Sequence, residues 1–393
     1  MPTGHLRHYL EHYFAPHPSK EVREMFASTA ILDFAVSSVM VFEPIYLFKI
    51  GFTVPQILLF FAALYVLYFF ALPIGGRICR RHGYEHSILY SSPFLILYYI
   101  SLYALQWDRR LLVVALFALV VQKILYWPGY HANLALHGDG QEGGREVSNM
   151  YAVAGIASAL GPLFGGAIIA WGGFQTLFLV VAGLIIVSNL PLWSSPELFE
   201  PHPFPYGAAL ARVFKPETRR QAVGFAGYGE ELFALTIWPL FIALTVQGYV
   251  AAGVVLSLSM LLTVLVTLYI GRMADEDGRE RVMRSGVVYV VASWLIRPLV
   301  SGGLGAFLAD AFYRVSKNTA AVPMTAMIYD GARRNHVMAS VIFFEMSLSA
   351  GKALAALLGA LIFWKLPSAA AWPAAFILAA VFASLFMLIR EEK

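Results

Sequence analysis

The chain of 393 residues is 59% hydrophobic and 13% charged, and it carries a formal net charge of +4. Soluble domains carry about 25% charged residues, so this composition excludes an ordinary soluble protein. The single cysteine excludes an intrachain disulfide and a metal site built from several cysteines. The small positive charge is spread over many segments, which gives no indication of nucleic-acid binding.

Residues 1–23 form a polar N-terminal segment without an apolar stretch of signal-peptide length, so we expect no cleaved signal peptide. Within it, residues 4–15 place their apolar side chains on one helical face, which is typical of a helix lying on a membrane surface. Three histidines share the opposite face: His5, His8 and His12. No carboxylate or cysteine completes a ligand set with them, so we predict solvated histidines and no bound metal.

Twelve apolar stretches follow this segment, and each approaches the roughly 20 residues that a membrane-spanning helix needs. We number them spans 1 to 12: 24–48, 54–76, 85–106, 111–136, 147–170, 174–193, 221–247, 250–271, 284–302, 304–329, 337–363 and 368–390. The longest polar gap, 194–220, falls at mid-chain and is rich in proline and charge. The sequence therefore predicts an all-α membrane protein of two six-helix halves, 24–193 and 221–393, joined by this linker.

Basic residues are distributed unequally between the two sides that these spans define. If the N-terminus is cytoplasmic, 19 of the 28 lysines and arginines fall in inner segments. The outer loops hold only four: Lys49, Arg109, Arg110 and Lys365. Because cytoplasmic segments carry the excess of basic residues, we expect both termini and the linker to be cytoplasmic, in a plasma (inner) membrane.

A short charged segment with a glycine at each end lies between spans 8 and 9. Its marker residues are Gly271, Asp275, Gly278 and Arg279. A weaker copy runs from Gly76 to Gly83 between spans 2 and 3, about half the chain length earlier, with Arg80 in place of the acid. Repetition at half the chain length indicates two copies of one membrane unit.

This segment resembles the signature loop of the major facilitator superfamily of transporters, which joins the second and third helices of each six-helix half. The first copy departs from the family pattern, since Arg80 and Tyr84 stand where the family has Asp and Arg. The resemblance implies two halves that alternately open a central site to either side, braced by the charged turns on the cytoplasmic side. It also implies a transporter rather than an enzyme, without a cofactor.

Ionisable residues inside the spans concentrate on spans 1, 4, 7, 10 and 11. Such residues cost several kcal/mol in hydrocarbon, and they usually face the bundle interior or a water-filled cavity. In the resembling family, spans 1, 4, 7 and 10 line the central path and span 11 flanks it. The charges therefore lie where that architecture would place a hydrated cavity.

Asp33 and Glu230 lie at equivalent depths of ~14 Å in spans 1 and 7. The turns that follow, Gly51 and Gly248, are separated by the same number of residues as the two acids. We predict that these pseudo-symmetric carboxyl groups exchange protons during transport; the alternative is that they hydrogen-bond neighbouring helices and never titrate. Glu231 lies about 100° around the helix from Glu230, and we expect Glu230 to face the path.

Spans 10 and 11 carry the densest charge cluster. It consists of Asp310, Arg314 and Lys317 on span 10, and Glu345 and Lys352 on span 11. Counted along the two antiparallel helices, Glu345 lies at the same depth as Arg314 and Lys317, and Asp310 lies at the same depth as Lys352. Two interpretations remain open: a structural ladder of ion pairs, or a set of which part binds a charged or polar substrate.

Lys123 lies in the middle of span 4, with Tyr126 and Tyr130 on its helical face. It could contact an anionic group, pair with an acid on span 1, or extend its stem toward the membrane surface. We count these three residues among the cavity polar groups. Near the outer end of the bundle, Arg297 could extend to the surface, and we assign it no function. For Glu43, beside Pro44, a water-facing structural role is favoured at least as much as a functional one.

Span 5 contains a group of small residues and a proline: Gly161, Pro162, Gly165 and Gly166. This group resembles the core of a motif common in antiporters of the same superfamily, and the resemblance favours export. The alternative is tight helix packing without a role in direction, because small residues let helices approach closely.

We therefore predict a monomeric secondary transporter that exports a small organic molecule by alternating access, coupled to protons. The expected partners are the substrate, protons and the lipid bilayer, with no nucleic acid and no cofactor. Uptake or facilitated diffusion of a polar or anionic metabolite is the alternative, favoured by Arg314, Lys317 and Lys352. A membrane enzyme is a third possibility, indicated only by His131 and Asn133 near a helix end, without a nucleophile–base spacing.

Overall fold

The structure is a computed structural model that describes residues 20–137, 143–190, 206–334 and 336–391. The predicted surface helix at 4–15 and most of the linker before residue 206 lie outside these residues. The described chain is helical, with short turns between the helices, as the apolar stretches predict.

The helices of the first half follow the predicted spans, with two differences. Their bounds are Lys20–Met40 and Phe42–Lys49 for span 1, Val54–His82, Tyr84–Ala104 and Leu111–His137 for spans 2 to 4, and Gly143–Ser188 for spans 5 and 6. Span 1 is interrupted at Val41. Spans 5 and 6 continue as one stretch that turns at Gly173, where φ is 78°. A positive φ is readily adopted only by glycine, which explains how one residue ends one span and begins the next.

The second half begins after a short linker helix. The linker helix is Tyr206–Phe214. Span 7 comprises three helices, Arg219–Ala226, Gly229–Leu235 and Ile237–Thr245. The helices of spans 8 to 12 are Tyr249–Asp277, Arg279–Ile296, Gly302–Arg334, Val337–Lys365 and Ser368–Ser384. Span 7 is thus three short helices rather than the single helix we expected. Its breaks lie at Gly227–Tyr228 and at Thr236, so Glu230 and Glu231 stand in the first turn of a short middle helix.

Nine helical stretches within the described residues are long and apolar enough to cross a membrane. One of them, Gly155–Ser188, contains most of predicted spans 5 and 6. Predicted span 7 does not qualify because it is broken into short pieces, and span 10 does not qualify because Asp310, Arg314 and Lys317 lower its apolar character. The all-α membrane architecture is therefore confirmed, while the count of twelve spans and the domain boundaries remain predictions.

The two charged turns are shorter than the sequence suggested. The helices of spans 2 and 8 continue to His82 and Asp277, and the next helices begin at Tyr84 and Arg279. Each turn is consequently one glycine, Gly83 with φ of 99° and Gly278 with φ of 91°. Because this conformation is strained for other residues, a glycine is required at both places.

Span 5 joins the two halves through direct backbone contact. A Cβ atom added at Gly165 would lie 1.8 Å from the carbonyl oxygen of Ser38 on span 1. One added at Gly166 would lie 2.4 Å from the carbonyl oxygen of Tyr249, where span 8 begins. The glycines of span 5 therefore let it pack between span 1 of its own half and span 8 of the other. Spans 2 and 11 form the second contact between the halves.

We call the end of the bundle that carries Gly83, Gly278 and the linker helix the linker end. Here span 4 meets spans 8 and 10 in an apolar cluster that contains Ala135, Ile270, Ala326 and Ala332. At the opposite end, the ring of Phe42 on span 1 packs edge-on against Tyr249, with centroids 6.5 Å apart. The two halves are thus in contact at both ends.

Candidate functional site

Glu230 is fully buried inside the second half and is held by three donors. Trp294 Nε1 and Tyr313 OH donate to its Oε2 atom at 2.9 and 3.0 Å, and Lys317 forms an ion pair with Oε1. These donors come from spans 9 and 10, and none lies in the first half. Because an ionised carboxylate can accept from all three, this arrangement is that of a structural anion that links span 7 to its neighbours.

Glu231, rather than Glu230, faces the contact between the halves. Its carboxylate lies 3.2 Å from Lys352 Nζ, and 30% of its side chain is exposed, compared with none of that of Glu230. The ammonium of Lys352 lies 5.4 Å from the ring centre of Tyr65 on span 2. Our expectation for the two acids is therefore reversed, because Glu230 points back toward spans 9 and 10.

A second buried acid, Asp310, accepts hydrogen bonds from Trp238 Nε1 at 2.9 Å and from Arg314 Nε at 2.6 Å. Asp310 and Arg314 are separated by one helical turn of span 10, so this ion pair lies within one helix. The side chain of Arg314 is 24% exposed while that of Asp310 is 1% exposed. The buried acid therefore anchors an arginine that is itself partly exposed.

Arg297 is completely buried and does not extend to the membrane surface, which the sequence had left possible. Its guanidinium carbon lies 4.1, 3.7 and 4.5 Å from the ring centres of Trp238, Trp294 and Tyr313. None of its three side-chain nitrogen atoms has a hydrogen-bond partner among the described residues. Span 9 ends in a 3-10 turn at Arg297–Leu299, and stacking between aromatic faces replaces solvent contact there.

The ladder of ion pairs between spans 10 and 11, one of the two interpretations left open by the sequence, is not formed. Glu345 pairs with neither Arg314 nor Lys317, and Lys352 does not pair with Asp310. Lys317 and Lys352 pair instead with Glu230 and Glu231 on span 7. Arg314 pairs with Asp310 on its own helix. Equal depth along two helices places charges at one level but says nothing about the direction in which each side chain points. The structural pairs therefore differ from those that depth alone suggested.

Glu345 instead contacts the first half. Its Oε2 atom accepts from Tyr68 OH on span 2 at 2.8 Å, and its Oε1 atom lies 3.0 Å from His131 Nε2 on span 4. The other ring nitrogen of His131, Nδ1, lies 2.8 Å from Tyr329 OH on span 10. Sequence reasoning missed this role of His131, although the residue lies two turns from Lys123 on the same face of span 4.

Asp33 and Lys123 are the central charges of the first half, and neither forms a hydrogen bond or an ion pair with another described residue. The ammonium of Lys123 lies 5.8 Å from the ring centre of Tyr65 and 5.7 Å from that of Trp127. Asp33 is half-buried on span 1. A pairing of Lys123 with an acid on span 1, one of the alternatives that the sequence left open, is therefore absent.

One further acid, Glu43, lies away from this centre. It is buried and does not face water, and it accepts hydrogen bonds from the hydroxyl groups of Tyr98 and Tyr99 at 3.0 Å each. Tyr126 and Tyr130 stack on each other beside the central charges, with ring centres 5.5 Å apart. No group of His, Cys, Asp and Glu that could hold a metal ion is found among the described residues.

The second charged turn is tied to the end of span 10. Arg279 forms an ion pair with Asp330, which also pairs with Arg333. The side-chain contacts of Asp275 are not among those that the structure describes. In the first turn, Arg80 makes no ion pair with another described residue, so the described contacts of the two turns are not equivalent.

Comparison with known proteins gives one family match and several structural matches. The sequence model of the Major Facilitator Superfamily matches residues 25–216. No curated protein matches the sequence. The fold is similar to a major facilitator superfamily transporter, FucP, in an outward conformation (TM-score 0.65, 13% identity, 94% of this chain and 98% of that chain covered).

It is equally similar to the human organic anion transporter MFSD10, with a TM-score of 0.66, 14% identity, and coverage of 94% of this chain and 100% of that one. A second structure of FucP, described as the E. coli fucose:proton symporter, has a TM-score of 0.61 and 13% identity, with 94% and 98% of the two chains covered. At these identities the structural matches show the fold.

Proposed function

Because the Major Facilitator Superfamily model matches residues 25–216 and the fold is similar to those of transporters of that superfamily, we propose that this chain is a secondary transporter of the superfamily and exports a small organic molecule by alternating access, coupled to protons. The two halves move relative to each other around a central site. We place that site around Tyr65, whose ring lies near the ammonium groups of Lys123 and Lys352, with Glu231 paired to Lys352 and with Asp33 beside Tyr126 on span 4.

One observation supports the proton coupling: Asp33 has no ion partner among the described residues, whereas Glu230, Glu231 and Asp310 each have one. Proton uptake by a paired carboxylate must break its ion pair, which strands a buried cation. Asp33 can take up and release a proton without that cost. We therefore assign the coupling role to Asp33, with Glu231 as the acid of the second half that faces the path.

Export is supported by the packing of span 5. Its group of glycines and Pro162 resembles an antiporter motif, and Gly165 and Gly166 contact spans 1 and 8 through their backbones. A helix in direct contact with both halves is well placed to influence how they move. The proposed orientation has both termini cytoplasmic, in a plasma (inner) membrane, with the protein acting as a monomer.

Transport of a polar or anionic metabolite is the second candidate. Lys123 forms no ion pair with an acid among the described residues, and the ammonium groups of Lys123 and Lys352 lie 5.8 and 5.4 Å from the ring centre of Tyr65. Two ammonium groups around one aromatic ring suit an anionic group of a substrate. One of the structural neighbours is an organic anion transporter and another is a proton symporter, which supports this candidate as well.

A transport screen in proteoliposomes tests both candidates. Neutral, cationic and anionic small molecules would be offered with and without an imposed pH gradient, and Asp33→Asn would serve as the uncoupled control. Accumulation that depends on the gradient and is lost in Asp33→Asn supports proton coupling. Accumulation of an anion that is unaffected by the gradient favours the second candidate and contradicts the first.

A further inference from the structure

A partly open cavity lies at the linker end of the second half, where the ends of spans 7, 10, 11 and 12 meet the linker helix. Its floor is apolar and largely aromatic, and it includes the buried side chains of Phe225, Phe343 and Ile389. Its polar lining consists of Arg212, Gln221, Ser340 and Arg390. No acidic residue of the described chain lines it, so two arginines give the cavity a positive charge that no lining carboxylate offsets.

Arg212, on the linker helix, is held at this cavity by span 11. Its guanidinium carbon lies 5.2 Å from the ring centre of Phe343, and its Nη1 atom donates to Ser340 Oγ at 3.5 Å. Ser340 and Phe343 both belong to the first two turns of the helix that begins at Val337. A planar guanidinium that is already held against a ring loses little further freedom when it binds an anion.

Arg390 reaches the same cavity from the end of span 12. Its side chain is exposed and forms no hydrogen bond or ion pair with another described residue, whereas the preceding residue, Ile389, is buried. The amide of Ile389 donates to the carbonyl of Phe386 at 3.0 Å, which fixes the backbone beside Arg390. Two guanidinium groups that are far apart in sequence are therefore directed to one place by fixed elements.

The surroundings of the cavity are basic as well. Residues 206–220 contain four basic residues and one acid, Glu217. The acids Asp330 and Glu280, at the same end of the bundle, are already paired with arginines of spans 9 and 10. Glu391 follows Arg390 in the chain but does not line the cavity. A bound group of negative charge would thus meet an excess of cations here.

The cavity lies at the level of a membrane surface, because it is formed where four spans begin or end. The last residue of the linker helix, Phe214, is 73% exposed and is followed by Lys215. An exposed aromatic residue beside basic ones is typical of a segment that lies on a membrane. In the proposed orientation this is the cytoplasmic leaflet, whose anionic lipids are attracted by basic residues near the surface.

We propose that this cavity binds the headgroup of an anionic phospholipid, with its phosphate held by Arg212 and Arg390. A guanidinium can donate two parallel hydrogen bonds to a phosphate, and Gln221 and Ser340 supply further polar contacts. The bound lipid would join the linker helix to the end of span 12. The inference rests on the membrane-embedded fold and not on the substrate, the direction of transport or its coupling to protons.

The test counts the lipids that the full-length protein retains. The purified protein in a neutral detergent would be titrated with phosphatidylglycerol and, separately, with phosphatidylcholine, and the bound molecules would be counted by native mass spectrometry. Phosphatidylglycerol should saturate one site at lower concentration than phosphatidylcholine. Arg212→Gln and Arg390→Gln should each weaken this binding roughly tenfold, because each removes charged hydrogen bonds to the phosphate. Arg212→Lys should weaken it less, since the charge remains but the planar fork is lost.

Arg281→Gln is the matched control. Arg281 is exposed at the same end of the bundle, in the first turn of span 9, and does not line the cavity. Its replacement should leave the binding of phosphatidylglycerol unchanged. Arg390→Gln removes no described contact of the protein with itself, so it decides the matter even if Arg212→Gln proves unstable.

Three results would overturn the proposal. Equal binding of the two lipids would show that the cavity does not select an anionic headgroup. Equal weakening by Arg281→Gln would mean that only the overall charge of this end matters. If inorganic phosphate, added at constant ionic strength, displaces phosphatidylglycerol and binds with the same dependence on Arg212 and Arg390, the cavity is a site for a soluble anion and the assignment to lipid is wrong.

Discussion

Lys317 forms an ion pair with Glu230, and this pair joins span 10 to span 7 inside the second half. The equivalent position in the first half is that of Asp33, which has no ion partner among the described residues. Two acids that the sequence presents as symmetric partners thus have different surroundings. One is suited to hold helices together and the other to exchange a proton.

Asp33→Asn should fold and insert normally but lose transport that is driven by a pH gradient. Asparagine keeps the shape of the side chain and cannot exchange a proton, and no ion pair is broken by the change. Exchange of substrate without a gradient should survive better. Uphill transport by Asp33→Asn at the parent rate would show that the carboxyl group is structural.

Glu230→Gln should instead lower the stability of the protein. Removing one member of a buried ion pair strands the other charge, which costs about 3–5 kcal/mol. Lys317→Met should be similarly damaging, and the double variant should recover much of the loss because no uncompensated charge remains. Thermal unfolding of the purified variants in detergent measures this, and a double variant no more stable than either single one would contradict the pairing.

Arg297→Lys should destabilise the second half although the charge is kept. A guanidinium presents a flat face to the rings of Trp238, Trp294 and Tyr313, and an ammonium cannot stack in this way. We expect a loss of about 2 kcal/mol, the upper range for a desolvated cation–π contact.

Arg109→Lys is the matched control for Arg297→Lys, because Arg109 also lies over an aromatic ring, that of Phe52, but at an exposed position. Its loss should be small in the same thermal unfolding assay. Equal losses in the two variants would mean that burial between the rings adds nothing.

Gly165→Ala should disturb the packing of span 5 against span 1. The new Cβ atom would lie 1.8 Å from the carbonyl oxygen of Ser38, so one of the two backbones must move. Overpacking of this kind costs about 1–3 kcal/mol. Gly183→Ala, on span 6 with nothing within 4 Å of the added atom, is the control and should be tolerated. Similar unfolding temperatures for the two variants would show that the close contact is not required.

Topology provides a further prediction. A reporter that is active only in the cytoplasm should work when it is fused at residue 393 and when it is inserted in the linker at 194–220, because the basic residues concentrate on that side. The same reporter placed in the turn at Arg109–Arg110 should be silent. Activity at all three places would contradict the proposed orientation.

The membrane-embedded helical architecture follows from the sequence alone, because runs of roughly 20 apolar residues have few other stable arrangements. The repeated turn with its glycines could also be predicted from the sequence, since Gly83 and Gly278 adopt backbone conformations that are strained for other residues. The spans that carry ionisable residues were found in the same way, because charge in hydrocarbon is rare and conspicuous.

The partners of those ionisable residues were decided by the tertiary structure. Sequence spacing gives the depth of Glu345 along its helix but not the direction of its side chain, and so it suggested Arg314 or Lys317 where the fold supplies Tyr68 and His131. The breaks within span 7 likewise direct Glu230 inward and leave Glu231 toward the other half. Both outcomes depend on how helices distant in sequence rotate and pack against each other, and no local pattern encodes that rotation.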